Sequence, residues 1–451
     1  MHTIAGVRTP KYKALVDTLA GQIRAGRLPA GHRLPTHRRL ASDEGIALVT
    51  ASRVYAELEA MGLISSEQGR GTFVRDLAVT PGEGISEREV AADAVDLSFN
   101  SPSVPGQADL LRQALRDLAG AGDLDALLRY QPHRGRGQDR AAVARHLRRR
   151  GLDVGRERIL LVNGAQHGLA VTAMALFKPG DVIAVDAVTY YGFIVLARTL
   201  GLELAPVPIS EHGPDLDALE GLCRSRRVRA IFAMPTMHNP LGLVYDEPQR
   251  TRLAAIAARH DVLIVEDASY AYLADNPPPP LAAFAPDRTV YVSSLSKSVA
   301  SGLRIGFVAA PVELVPTFER IIRVTTWQTP ALNSAIACRW LDDGTVDRLE
   351  KDKRLDAQHR QAIADEVLAG LPSVRHASSY FRWLPLPPDA RPDRIAATLA
   401  ADRIAVSTGE PFAPAPPPPQ ALRLALGSVP LPTLRTALHQ VRQTIESDTS
   451  R

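Results

Sequence analysis

Four short apolar runs between residues 158 and 307 end in polar residues, and segments with helical periodicity alternate with such runs in this part of the chain. The runs are RILLVNGAQHGL (158–169), RAIFAMPTMHNPLG (229–242), DVLIVEDASYAYL (261–273) and TVYVSSLSKSVASGLRIGF (289–307). This alternation predicts a mostly parallel α/β sheet. Ligands of such sheets bind beyond the carboxyl ends of the strands, so we expect Asn239, Asp267, Ser294 and Lys297 to surround one crevice.

The length of 451 residues predicts two or three domains, and 45% hydrophobic and 23% charged residues are typical of a soluble globular protein. No run approaches the roughly 18 to 20 apolar residues that span a bilayer, and the first residues lack the apolar core of a signal peptide. Cys223 and Cys338 have neither metal-ligand spacing nor a disulfide pattern. We therefore expect a cytoplasmic protein with no membrane segment and no metal site.

The composition changes near residue 76, where a stretch rich in Gly, Pro and acidic residues begins. We interpret residues 76–98 as a linker between a compact unit, 1–75, and the long α/β segment. The α/β segment is predicted to divide into a large domain, 99–330, and a small C-terminal α+β subdomain, 331–451.

The N-terminal unit has the pattern of a winged helix-turn-helix. An amphipathic first helix is followed by a Gly- and Pro-containing break, and Thr36 is a candidate N-cap for a short second helix that ends at Gly45. The next helix, 47–62, is predicted to point Leu48, Ala51, Tyr55 and Leu58 inward and Thr50, Arg53 and Glu57 outward. A short hairpin with Gly69-Arg70-Gly71 at its tip follows as the wing.

Such a unit places the helix after the turn in the major groove of double-stranded DNA and its hairpin along the backbone or minor groove. The predicted DNA contacts are Arg33, Arg38, Thr50, Ser52, Arg53, Gly69, Arg70 and Gly71. Spacing alone leaves open a small helical domain with a solvated arginine face. The words GRLPAGHRLPTHRRLA, TASRVYAEL and GRGTFV, however, closely resemble the DNA-binding domain of the GntR family over residues 11–75. This resemblance implies DNA binding.

Lys297 is one of six lysines in a chain that contains 53 Lys and Arg residues in total. A lysine amine becomes a nucleophile when it loses its proton, whereas a guanidinium stays charged and cannot form an imine with an aldehyde. Pyridoxal 5′-phosphate (PLP) needs such an amine, a carboxylate at its ring nitrogen, donors for its phenolic oxygen and an anion site for its phosphate. One cofactor thus accounts for the polar ends of all four runs.

Each of these residues also has an ordinary explanation. Lys297 in a serine-rich loop suits a solvated lysine, and Glu266-Asp267 suits a helix cap. Asn239-Pro240 is a common turn signal, and Gly164 suits simple helix punctuation.

Residues 95–445 resemble a class I aminotransferase of fold type I, most specifically in SLSKSVASGLRIGF, VEDASYAYL and HNPLG. The resemblance implies that Lys297 is the Schiff-base lysine and that Asp267 is the partner of the pyridine nitrogen. It also implies that Tyr190 stacks on the ring and that Tyr130 reaches the phosphate in the neighbouring subunit. The cofactor-binding residues implied in this way are Lys297, Asp267, Tyr270, Asn239, Tyr190, Gly164, Ala165, Gln166, Ser294, Arg304 and Tyr130.

Arg423, in ALRLALG, matches the arginine that binds the substrate α-carboxylate; the alternative is an outward residue of an alternating strand. Two departures from the family stand out. Asp186-Ala187-Val188 replaces the usual Glu-x-Pro before the stacking aromatic, which puts the position of that loop in doubt. His167 occupies a position where relatives often have Gln, which predicts an altered substrate pocket.

A GntR-type reader joined to an aminotransferase-like domain resembles the MocR subfamily of bacterial regulators. This implies a homodimeric, PLP-dependent transcription factor of the cytoplasm, associated with the nucleoid when bound to DNA, whose effector is an amino acid or amine held as an aldimine. The alternative is a working aminotransferase that retains a DNA-binding module, and racemisation or decarboxylation at Cα would use the same residues. The sequence favours some retained transaminase chemistry but leaves its role open.

Overall fold

The structure, a computed structural model, describes residues 11–24, 27–29, 32–61, 63–67, 71–74, 94–120, 124–210 and 212–449. Two predicted DNA contacts, Gly69 and Arg70, and residues 76–93 of the predicted linker lie outside these ranges. Within the described ranges, none of the helices combines the length and the apolar character that a bilayer crossing requires.

The N-terminal unit is a winged helix-turn-helix, as predicted. Its elements are α1 (Lys11–Arg24), α2 (His37–Asp43), α3 (Leu48–Ala60) and the antiparallel strands β1 (Ile64–Glu67) and β2 (Gly71–Val74). Thr36 caps α2, since its hydroxyl accepts from the Arg39 N–H at 3.3 Å. Tyr55 of α3 donates to the Pro35 carbonyl at 2.6 Å and so joins α3 to the turn before α2. The core of the unit includes Val16, Ile23, Leu40, Val54 and Leu58.

Two orientations predicted for α3 are wrong. Leu48, expected inside, is 46% exposed because it lies in the first turn of α3, ahead of the core contacts. Glu57, expected outside, is only 5% exposed because Arg394 of the C-terminal subdomain contacts it. A contact between residues so distant in the chain has no signature in local periodicity.

The large domain is built around a seven-stranded sheet. The elements of this part are β3 (Val95–Leu97), α4 (Gln107–Gly120), α5 (Leu124–Leu128), α6 (Gly137–Arg149), β4 (Ile159–Val162), α7 (Ala165–Leu176), β5 (Val182–Asp186), α8 (Tyr191–Thr199), β6 (Glu203–Val207), β7 (Ile209–Ser210), β8 (Gly213–Pro214), α9 (Leu216–Ser225), β9 (Val228–Ala233), α10 (Glu247–Arg259), β10 (Leu263–Asp267), α11 (Leu281–Phe284), β11 (Thr289–Ser294), β12 (Gly306–Ala309) and α12 (Val315–Thr325). The strand order of the sheet is β4-β12-β11-β10-β9-β5-β6. All neighbouring strands are parallel except β12, which is antiparallel to β11 and to β4.

Strands β4, β5, β11 and β12 are buried along their whole length, which explains why the sequence shows continuous apolar runs and not alternation. Helices cover both faces of the sheet, so neither side of these strands faces water. The last residues of β5, β10 and β11 are polar: Asp186, Asp267 and Ser294.

The C-terminal part consists of α13 (Ala331–Asp342), α14 (Thr345–Val367), β13 (Phe381–Pro385), α15 (Pro392–Ala401), β14 (Ile404–Thr408), β15 (Ala421–Ala425) and α16 (Leu431–Thr449). Its four-stranded sheet has the order β13-β15-β14-β3. Strand β3 lies inside the predicted linker but pairs with β14, because the Val95-Asp96-Leu97 backbone completes that edge of the sheet. Helix α13 belongs to the core of the large domain, where Ile336 and Trp340 pack near Val143 and Phe307.

Candidate functional site

A cavity of about 700 Å³ lies at the carboxyl ends of the large-domain strands, and Arg423 from the small sheet closes one side. The structure brings ten of the predicted ligand residues to its wall. They are Ala165, Gln166, Tyr190, Asn239, Asp267, Tyr270, Ser294, Lys297, Arg304 and Arg423. Concave sites of this size suit small molecules and cofactors.

Lys297 lies in the loop after β11, and its amine points into the cavity. Nζ donates to the Asn100 carbonyl at 2.5 Å and lies 4.3 Å from the centre of the Phe99 ring. Burial lowers the pKa of Lys297 to about 8, and the positive charges of Arg423 and Arg304 act in the same direction. At pH 7 about a tenth of this amine is therefore unprotonated and available as a nucleophile, far more than for an ordinary lysine.

Asp267, the last residue of β10, is buried and lines the cavity. Its Oδ1 accepts from the N–H and the hydroxyl of Ser269, at 2.9 and 2.6 Å. Burial raises the pKa of Asp267, while the two hydrogen bonds from Ser269 oppose that rise. A cation beside this carboxylate would keep it ionised.

One corner of the cavity is built to hold an anion. Helix α7 begins at Ala165, and no side chain caps its first turn. Arg304 lies beside this end, where its guanidinium donates to the Asn163 carbonyl at 3.1 Å and to the Ser296 hydroxyl at 3.4 Å. Gly164 has a φ of 84°, and a Cβ added there would come within 2.7 Å of Arg304 Nη2. Arg304 itself has a φ of 52°, a conformation that costs a non-glycine residue energy and is enriched at functional sites.

The remaining wall carries the aromatic and amide groups. Tyr190 donates to Gln166 Oε1 at 3.2 Å, and Tyr270 packs edge-on against Phe381. Asn239 is buried, and among the described residues its Oδ1 has no hydrogen-bond partner. An unsatisfied acceptor on the wall of a cavity indicates a ligand or water that donates a hydrogen bond to it.

Arg423 is 2% exposed and faces the cavity, so it is not the outward strand residue of the alternative interpretation. Its Nη1 donates to the Ser98 carbonyl at 2.8 Å, and its Nε has no hydrogen-bond partner among the described residues. Burial lowers the pKa of Arg423. A buried guanidinium with an unused donor is suited to a carboxylate.

The two departures from the family have different outcomes. Asp186 is held by the Tyr245 hydroxyl at 3.0 Å, with His238 Nε2 at 3.2 Å, and the loop after it still brings Tyr190 to the cavity. His167 is not on the cavity wall: it accepts from the Asn163 N–H and lies 2.9 Å from Thr325 Oγ1. The expected effect of His167 on the pocket is therefore not supported, because these two contacts turn its ring away.

Tyr130 is the one predicted cofactor residue far from the cavity wall of its own chain. Its side chain is 82% exposed, and its ring lies 5.4 Å from that of Trp327.

The candidate DNA-binding surface is formed by α2, α3 and the strands of the wing. Arg33, Arg38 and Arg53 are exposed, and Arg53 lies over the Tyr12 ring at 4.3 Å. Ser52 is 3.1 Å from His37 Nδ1, which fixes its hydroxyl. The remaining described candidates, Thr50 and Gly71, are partly exposed.

Residues 92–441 match the family model described as aminotransferase class I and II. The chain belongs to this family. Residues 11–74 match the model of the bacterial regulatory proteins of the gntR family. The protein is therefore a GntR-type DNA-binding domain joined to an aminotransferase-like domain, the combination found in MocR-type regulators.

Similar proteins support both halves. The uncharacterized HTH-type transcriptional regulator YdeF of Bacillus subtilis is 28% identical over 84% of this chain and 81% of its own length. The probable rhizopine catabolism regulatory protein MocR of Rhizobium meliloti is 27% identical over 78% of this chain and 76% of its own length. Among solved structures, the multiple substrate aminotransferase of Thermococcus profundus has a TM-score of 0.75 at 25% identity, covering 81% of this chain and 96% of that one.

PLP is the cofactor of this aminotransferase family, and the cavity fits it. A nucleophilic amine, a buried carboxylate, an unsatisfied amide and an anion corner line one cavity. The tight approach of Gly164 to Arg304 leaves the corner open only while residue 164 has no side chain.

The sequence analysis did not identify the residues that donate hydrogen bonds to the backbone of the Lys297 loop. Lys353 of α14 is fully buried, and its amine donates to the carbonyls of Lys297 at 2.9 Å and Val299 at 2.7 Å. The Tyr272 hydroxyl also donates to the Lys297 carbonyl, at 3.1 Å. Lys353 lies among charged residues, EKDKR, and this context predicts an exposed side chain. The sequence marks it only in that lysines are rare in this chain.

Proposed function

We propose that this protein is a PLP-dependent transcriptional regulator whose aminotransferase-like domain senses an amino acid or amine. The observation that carries the proposal is the cavity itself, where Lys297, Asp267, Arg304 and Arg423 converge in a chain that also carries a DNA reader. PLP bound there supplies an aldehyde that takes an amine covalently and a ring that withdraws electrons.

The roles proposed for the residues rest on their positions around the cavity and on the match to the family. Lys297 would supply the amine, and Asp267 would hold a proton on the ring nitrogen. Arg304, Ser294 and the backbone of Gly164, Ala165 and Gln166 would hold the phosphate. Tyr190 would pack against the ring, while the Tyr270 hydroxyl and the Asn239 amide nitrogen would donate to its phenolic oxygen.

Arg423 narrows the class of effector. Its buried guanidinium lines the cavity, and its Nε has no hydrogen-bond partner in the part of the chain that the structure describes. We propose that it binds the α-carboxylate, so amino acids bind more tightly than amines of the same side chain. Replacement of Arg423 by Gln should abolish the spectral response of the PLP-loaded protein to L-amino acids and leave PLP binding intact. An unchanged response would contradict this role.

A second function, amino acid transamination with a 2-oxo acid acceptor, is favoured by one observation. The lowered pKa of Lys297, to about 8, provides a base in the cavity that also contains Asp267 and Arg423. We propose that some transaminase chemistry is retained. Absorbance of the PLP-loaded protein distinguishes the two functions. Conversion by an amino acid to a pyridoxamine form, reversed by a 2-oxo acid, indicates an aminotransferase, whereas a stable shift without conversion indicates a sensor.

The proposed partner in assembly is a second copy of the chain. Leu128 is 85% exposed and lies two residues before the exposed Tyr130, whose ring contacts that of Trp327, also exposed. Apolar groups of this size rarely cluster on the free surface of a soluble protein. We propose a homodimer through this surface, in which Tyr130 reaches the partner's phosphate site. Sedimentation of Leu128→Asp should show a monomer, and a stable dimer would contradict the placement of the interface.

The proposed nucleic-acid partner is a double-stranded operator with two half-sites, in the cytoplasm and at the nucleoid. Arg33, Arg38 and Arg53 supply exposed cations on the reader. Footprinting of the DNA upstream of the gene should show two protected half-sites. Replacement of Arg38 or Arg53 by Ala should reduce the slope of log affinity against log salt by about 1 each. Replacement of Arg435, which pairs with Glu366 on the C-terminal subdomain, is the matched control.

A further inference from the structure

Glu57 joins the recognition helix to the C-terminal subdomain. It lies four residues after Arg53 and seven after Thr50 in α3, hence on the same face of the helix. Arg394 of α15 donates from Nη1 to Glu57 Oε1 at 2.6 Å, and its Nε donates to Asp448 of α16. The hydrogen bond that Arg394 donates to Asp448 is the main cause of its raised pKa, so the guanidinium remains charged at the contact. One cation thus connects three helices.

A second contact holds helix α1 to the same place. Arg391, just before α15, donates from Nη1 to Asp17 Oδ1 at 2.8 Å, and its main-chain N–H donates to Asp448 Oδ2 at 3.0 Å. Lys13 of α1 reaches the Ala390 carbonyl at 3.4 Å. Both long helices of the reader are therefore bound to the first turn of α15.

These contacts are polar, and the interface between the DNA reader and the C-terminal subdomain is not fully packed. The apolar core of the reader consists of its own residues. A cavity of about 550 Å³ separates Ala20 and Met61 from the proline loop 416–419. Glu57 Oε2 is buried, and among the described residues it has no hydrogen-bond partner, so the closed interface leaves one carboxylate oxygen unsatisfied. An interface of this kind can open, because little apolar surface holds it closed and the desolvation cost of its buried ion pairs offsets much of their attraction.

Helix α15 is rigidly connected to Arg423, the residue proposed to bind the carboxylate. Helix α15 leads directly into β14, and Ser407 of β14 is the register partner of Arg423 in β15. Ile395 of α15 and Leu422 of β15 belong to one apolar cluster. Any displacement of the strand that carries Arg423 therefore moves α15 with it.

We propose that α15, through Arg391 and Arg394, is the docking surface for the DNA reader and transmits occupancy of the Arg423 site to the recognition helix. The proposal rests on the proposed function, since it requires a ligand at Arg423. Because coupling between two sites is reciprocal, DNA should change the affinity for the ligand by the same factor as the ligand changes the affinity for DNA.

The test compares the DNA affinity of the full chain in its PLP-free form and in its form loaded with PLP and L-alanine. L-alanine is the probe because it carries an amine and a carboxylate with the smallest chiral side chain. The DNA is the footprinted upstream fragment. Arg394→Gln and Arg391→Gln weaken the docking surface, and Arg435→Gln, which removes an exposed ion pair with Glu366, is the control.

We expect wild type and Arg435→Gln to show the same ratio of DNA affinities, different from one. In Arg394→Gln and Arg391→Gln the ratio of the two DNA affinities should lie within about twofold of one, with PLP absorbance unchanged. A full ratio in the docking variants, an equal loss in the control, or a wild-type ratio of one would overturn the proposal. The same samples report PLP absorbance and DNA binding of the wild type separately, and loss of either would instead contradict the proposed function.

Discussion

Substitution of Gly164 by Ala should weaken PLP binding in addition to destabilising the fold. The new Cβ would lie 2.7 Å from Arg304 Nη2 and 3.1 Å from its Cζ, so the guanidinium must leave its place at the anion corner. Loss of a hydrogen bond to a charged group costs about 1.5–3 kcal/mol, which corresponds to a roughly 10- to 100-fold weaker Kd for PLP. Residue 164 has a φ of 84° and a ψ of 169°, a region that is almost restricted to glycine, so alanine there also costs about 1–3 kcal/mol in folding.

A matched glycine separates the two effects. Gly180 has a φ of 86°, and a Cβ added there meets nothing within 4 Å. Gly180→Ala should therefore lose thermal stability because of its positive φ but bind PLP as the wild type does. PLP titration of the PLP-free protein, followed by absorbance, gives both Kd values. Equal PLP affinity in Gly164→Ala and Gly180→Ala would refute the assignment of the phosphate to this corner.

Three further predictions concern the cavity and its surroundings. The rate of PLP attachment should rise with pH up to about 8 and then level off, because Lys297 loses its proton near its pKa of about 8. Rapid-mixing absorbance measures this rate, and a rate independent of pH would contradict the prediction. Since the pKa of Lys297 is lowered from its ordinary value of 10.5, the unfolded chain binds more protons between pH 8 and 10.5. The stability of the PLP-free protein should therefore gain a contribution that rises with pH in this window and is absent from Lys297→Met, as denaturation at several pH values would show. Lys353→Met should loosen the Lys297 loop and weaken PLP binding, while Lys351→Met, two residues away, should not; equal affinities would contradict the contact between Lys353 and the loop.

The elements that sequence predicts best are those whose cause is local. The runs 261–267 and 289–294 are apolar because both faces of β10 and β11 are covered, and the polar residues after them follow from the ends of those strands. The N-cap at Thr36 is equally local, since its hydroxyl binds an N–H three residues away. Motif resemblance then added the chemical roles, which periodicity alone leaves open.

What could not be predicted depends on contacts between distant parts of the chain. Glu57 is polar and on the outward face of its helix by periodicity, yet Arg394 buries it. Asn100 supplies the carbonyl that holds the Lys297 amine, 197 residues away, and no local pattern marks it. Strand β3 has only three residues, and its pairing with β14 gives it an identity that its own sequence lacks.

The most direct test of the central claim is to identify the residue to which PLP attaches. Borohydride reduction of the PLP-loaded protein, followed by peptide mapping, locates the phosphopyridoxyl group among the six lysines of the chain. The account predicts the label on Lys297 and no label in the Lys297→Arg variant. A label on another lysine, or the same label in the variant, would contradict the assignment of this cavity as the PLP site.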